Sequence, residues 1–93
     1  MNISPLIEQL KQKNFRITKA RRHLLQALSE GPLTMMELAQ YMRDLGHPNV
    51  QTIYNNIHTL EKEHIIFTTL KDHTKYYHLV ADLILNILIF VDT

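Results

Sequence analysis

Apolar residues recur along this chain first at helical spacing and then at strand spacing, and the change falls near residue 64. Leu6, Ile7 and Leu10 mark a short amphipathic first helix, with Ser4 as its cap and Pro5 at the first helical position. Asn14-Phe15-Arg16-Ile17 interrupts it. Thr18 caps a second helix from Lys19 to about Ser29, whose apolar positions are Ala20, Leu24, Leu25, Ala27 and Leu28. Gly31-Pro32 ends that helix, because glycine tolerates the left-handed cap and proline blocks continuation. Thr34-Met35-Met36-Glu37 has the spacing of a capping box. It opens a third helix to about Leu45, with Met35, Leu38, Ala39, Met42 and Leu45 as the inner face. Gly46-His47-Pro48 is a turn. Asn49 caps a fourth helix whose apolar stripe is Val50, Ile53, Ile57 and Leu60.

Beyond this helix, Ile65-Ile66-Phe67-Thr68-Thr69-Leu70 is rich in β-branched and aromatic residues and reads as a strand. Lys71-Asp72-His73-Thr74 is turn-like, and Lys75-Tyr76-Tyr77-His78-Leu79-Val80 is the return strand. Four helices followed by two strands predict a mainly α fold with a β-hairpin wing, a winged helix-turn-helix spanning residues 1–80. Helices three and four form the helix-turn-helix pair.

Residues 81–93 carry the run Leu83-Ile84-Leu85-Asn86-Ile87-Leu88-Ile89-Phe90-Val91, which is too short to span a bilayer. Its period fits a buried strand or a short buried helix. A domain this small has little room to bury it, and left exposed it invites aggregation. The expectation is a dimerisation element through Leu83, Leu85, Ile87, Ile89 and Val91, or the stump of a second domain.

The outward residues of the fourth helix change the picture from fold to function. Gln51, Thr52, Tyr54, Asn55 and Asn56 cluster on its first turns, and charge is deferred to Glu61. A helix that only packs carries Glu, Lys and Arg on its outer face. Amides, hydroxyls and a phenol at a helix front are the chemistry that reads base edges in a major groove. Net charge is only +1. Its distribution is more telling: Lys11, Lys13, Arg16, Lys19, Arg21 and Arg22, six of the ten basic side chains, fall within twelve residues that contain no acid. Such a local patch suits a phosphate backbone. The candidate DNA contacts are Arg16, Lys19, Arg21, Asn49, Gln51, Thr52, Tyr54, Asn55, Asn56 and, on the wing, Lys75, with Lys71 and His73 as weaker wing candidates.

Other chemistries find less support. The chain has no cysteine, which excludes disulfides and thiolate metal sites and fits a reducing compartment. Neither a signal peptide nor a membrane span is evident, so a cytoplasmic protein is expected. The six histidines show no i, i+4 pair; His73 and His78, with Asp72 or Asp82, are the nearest approach to a ligand set, and no metal site is assigned. His64 lies where it favours the dipole of the fourth helix. Without a glycine-rich phosphate loop, a cysteine nucleophile or a converging acid pair, the chain is not expected to be an enzyme.

Two segments carry a family resemblance. Phe15-Arg16-Ile17-Thr18-x-x-Arg21 resembles the opening signature of the ferric uptake regulator (Fur) family. Thr52-Ile53-Tyr54-Asn55-Asn56-Ile57, followed by Leu60-Glu61-Lys62-Glu63 and Ile65-Ile66, resembles that family's recognition helix. The Asn-Asn pair is most similar to its peroxide-responsive (PerR-type) branch. The resemblance covers roughly Leu10 to Val80. It implies a dimeric, metal-responsive regulator, usually a repressor, on palindromic operators, with iron, manganese or zinc as the divalent metal. It places Arg16 by the minor groove or backbone, Tyr54 against thymine methyls or phosphate, and Asn55 and Asn56 toward the groove. The family's His-rich segment after the wing has no counterpart, since Leu83-Ile84-Leu85-Asn86-Ile87 stands there; its Cys-x-x-Cys pair is absent too.

The sequence thus predicts a regulator that binds double-stranded DNA as a homodimer. The alternative is a winged-helix interaction module that docks a protein partner through its apolar C-terminal segment or pairs with a full-length regulator.

Overall fold

The computed structural model describes residues 2–80; the tail from 81 to 93, and with it the expectation for Leu83, Leu85, Ile87, Ile89 and Val91, lies outside the described residues. Four helices, α1 (Ser4–Gln12), α2 (Lys19–Ser29), α3 (Met35–Asp44) and α4 (Val50–Lys62), precede two strands, β1 (Ile66–Lys71) and β2 (Thr74–Leu79). The architecture is the expected mainly helical fold with a hairpin.

Local capping chemistry sets three of the four helix starts. Thr18 accepts from the Arg21 N–H, Asn49 accepts from the Thr52 N–H, and Thr34 and Glu37 close a reciprocal capping box. At α1 the boundary sits one residue earlier than expected. Ile3 is the N-cap and Ser4 is already helical, because the Asn2 side chain, not Ser4's own, takes up the Ser4 N–H.

The helix ends share one device. In α1, α3 and α4 a left-handed residue follows the cap: Asn14 (φ 62°), Gly46 (φ 91°) and His64 (φ 61°). Phe15, His47 and Ile65 then donate back to the carbonyls of Leu10, Met42 and Leu60, while Asn14, Gly46 and His64 donate to Lys11, Arg43 and Glu61. Both bonds of a Schellman motif are therefore present at each. At α2 the second bond forms, from Gly31 to Leu28, but Pro32 has no N–H to make the first.

The strands pair antiparallel from Ile66↔Leu79 to Lys71↔Thr74. Asp72 (φ 51°) and His73 (φ 67°) are both left-handed, as a two-residue type I′ hairpin demands. The sheet also has a third participant that its sequence does not announce. Leu33, between α2 and α3, exchanges two backbone hydrogen bonds with Tyr77, at 3.1 and 2.8 Å.

One core joins all the elements: Ile3, Ile7 and Leu10 of α1 and its approach, Leu24, Leu25 and Leu28 of α2, Leu38 and Met42 of α3, Ile53, Ile57 and Leu60 of α4, then Ile65, Ile66, Tyr77 and Leu79. Two expected inner residues fall outside it. Leu45 and Val50 are 42% and 41% exposed, because both sit at the helix-turn-helix corner, beyond the reach of the packed stripe.

Candidate nucleic-acid interface

The corner between α3 and α4 fixes what α4 presents. Met42 receives the His47 N–H, Gly46 bends the chain, and Asn49 closes the first turn of α4. The buried stripe Ile53, Ile57 and Leu60 then dictates the opposite face. Gln51, Thr52, Tyr54 and Asn55 are exposed on it, with Tyr54 at 47%; Val50, in line with the buried stripe but at the first turn, is exposed too. Gln51 Nε2 donates to Asn55 Oδ1 at 3.0 Å, so the two amides form one pre-aligned unit a helical turn apart. The face is uncharged and rich in donors and acceptors, with the Tyr54 ring beside them.

Asn56 is placed differently from its neighbours. It is half-buried, and its amide is already engaged. Its Nδ2 donates to the Thr52 carbonyl at 3.0 Å, and its Oδ1 accepts from Arg21 Nε at 2.9 Å. Arg21 in turn donates through Nη1 to the Arg16 carbonyl at 2.8 Å and lies 5.0 Å over the Phe15 ring. Two residues expected to touch DNA are therefore joined to each other. Together they tie the segment before α2 to the middle of α4. The sequence holds each partner, but the pairing spans 35 positions and has no local signal.

Arg16 and Lys19 are exposed on and before the start of α2, and Lys75 is exposed near the tip of the hairpin, opposite Leu70. Asn49 acts as a cap: its side-chain oxygen is held by the Thr52 N–H at 3.3 Å.

The histidines group in ways their spacing does not reveal. His78 stacks on Phe67, its cross-strand partner, at 4.6 Å, and its Nε2 lies 2.7 Å from Thr69 Oγ1. His73 occupies the hairpin turn, and Asp82 lies outside the described residues. His23 of α2 meets His47 of the corner, with Nδ1 and Nε2 at 2.8 Å and the rings tilted by 58°. Partial burial first, then the neighbouring His47, Lys19 and Arg22, holds the His23 imidazole below its ordinary value of 6.5. Among the described residues no three or more His, Cys, Asp or Glu side chains converge as a metal site would require. No helix among them is long and apolar enough to cross a membrane. The chain matches no protein-family model, and no curated protein matches it.

Proposed function

We propose that this chain binds duplex DNA sequence-specifically, as a cytoplasmic transcriptional regulator of the kind the Fur family represents, in the sense of a repressor on a palindromic operator. The observation that carries the reading is the front of α4. There an uncharged hydrogen-bonding face, Gln51, Thr52, Tyr54 and Asn55, stands exposed on the second helix of a helix-turn-helix. Asn and Gln pair bidentately with adenine, and methyl and ring surfaces suit thymine. Arg16 and Lys19 supply the phosphate contacts that set orientation without reading sequence. A homodimer would place two copies of α4 in successive major grooves, about 34–36 Å apart.

The resemblance adds a divalent metal, iron, manganese or zinc, as effector. The described side chains bring no such donor set together. The alternative reading, a protein-docking module that acts through the apolar C-terminal segment or pairs with a full-length regulator, rests on the run Leu83 to Val91.

Selection of bound duplexes from a random library, run with chelator and separately with each metal, tests the proposal. Enrichment of a palindrome supports it, and the metal dependence of that enrichment assigns or removes the effector. No enrichment under any condition overturns it in favour of a protein partner.

A further inference from the structure

We propose that the His23–His47 contact is a proton-operated latch that holds the corner entering α4 against α2. The two rings belong to elements that no local rule brings together. His23 is mid-α2, and His47 directly follows the left-handed Gly46 that ends α3. With the backbone N–H of His47 fixed on Met42, its side chain is the arm that reaches α2.

The chemistry follows from proton counting. Between neutral rings 2.8 Å apart, one N–H donates to the other's lone pair. A first added proton leaves that N–H···N bond in place and makes it charge-assisted. A second proton fills the accepting lone pair. Two N–H groups and two positive charges then face each other, and the contact must open.

Its surroundings oppose the second proton. The charges acting on His23 are His47 across the contact and Lys19 and Arg22 on its own helix, with no carboxylate among them. In the last turn of α3, Asp44 is engaged by Gln40 and Arg43 is a further cation; α4 brings no acid in its first turn. The same basic setting, with only two ligands, makes the pair a poor metal site.

The sign of the effect is determined. The first proton strengthens the folded contact, but the unfolded chain takes up the second proton more readily than the folded pair does. The latch is therefore held while the pair carries no more than one proton, and its contribution to stability is lost as pH falls below 6.5 and the second proton is taken up. An open latch frees the corner that aims the front of α4. The consequence for duplex binding rests on the DNA reading above; the latch itself does not.

The test uses the full chain, with His47→Gln and His23→Gln as variants. In His47→Gln the introduced amide oxygen would accept from His23 in either protonation state, so that variant keeps a contact but loses the switch. Imidazole resonances are followed by NMR, and thermal midpoints are measured, from about pH 8 to pH 5. The wild-type midpoint is expected to drop about 4 °C further than that of His47→Gln over this range. The His23 titration is expected below 6.5 in the wild type and to rise in the variant. Equal acid losses in all three proteins, or a wild-type His23 that titrates at 6.5, would overturn the latch. Where a variant fails to fold, the wild-type titration decides alone. Stoichiometric zinc uptake by chelator-stripped protein, abolished in both variants, would make the pair a ligand set and overturn it too. Loss of duplex binding at every pH with the titration intact would overturn only the DNA reading.

Discussion

Arg21 links the segment before α2 to α4. It contacts Asn56, the Arg16 carbonyl and the Phe15 ring, and its own N–H is held by Thr18. Hydrogen bonds from a charged group are worth about 1.5–3 kcal/mol when sheltered. Arg21 is half-buried, so the low end applies. Arg21→Ala is expected to destabilise the fold by about 1–2 kcal/mol in urea unfolding. Asn56→Ala should do less, since it leaves the Arg16 and Phe15 contacts standing. A double-mutant cycle should then show coupling of about 0.5–1.5 kcal/mol; strictly additive losses would mean the 2.9 Å contact does nothing in solution. Tyr54 and Asn55 differ because the core does not hold them. Tyr54→Ala and Asn55→Ala should shift stability by less than about 0.5 kcal/mol. Each should lower affinity for a selected duplex by about 1–3 kcal/mol, with little change on unrelated DNA. An equal loss on both DNAs would mark backbone contacts instead.

At the scale of elements, the αL residue that ends α4 is open to improvement. A non-glycine residue at left-handed φ is strained by about 1–2 kcal/mol, offset in glycine by its greater freedom when unfolded. His64→Gly should therefore raise stability by about 0.5–1 kcal/mol. The measurement is a denaturant midpoint, and a lower midpoint would show that His64 gains more from the helix dipole than it loses in strain. The capping residues Thr18, Thr34, Glu37 and Asn49 were legible in the sequence because each acts within three positions of itself. The hairpin was legible because its strands are rich in β-branched and aromatic residues and the polar stretch between them is short. The exposed face of α4 followed from the buried one. What the sequence did not disclose is non-local: the Leu33–Tyr77 bridge, the Arg21–Asn56 bond and the His23–His47 contact join positions 44, 35 and 24 apart. Periodicity also overextended the core at Leu45 and Val50, since spacing records which way a residue faces but not where its packing partner ends.

For the whole molecule, the distribution of charge matters more than its sum. A net charge of +1 gives no long-range attraction to speak of, so contacts to a phosphate backbone would have to be local. Arg16 and Lys19 are both exposed in the stretch that leads into α2. If each neutralises one phosphate, Arg16→Ala and Lys19→Ala should each flatten the slope of log affinity against log salt by about 0.9. Titrations of a selected duplex from low to moderate salt would show it; unchanged slopes would reassign the patch to solvation.

The Leu33–Tyr77 bridge gives this small body a mechanical property. The hairpin does not hang freely from the end of α4; it is pinned partway along β2 to the strand of chain that enters α3. Beyond the pin, Thr69 to Tyr76 form the free arm of a lever, and Leu33 is its fulcrum. A load on the tip is transmitted through two backbone hydrogen bonds into the base of α3, one residue before the Thr34 cap. Whatever the wing touches is thus felt by the helix-turn-helix as a torque.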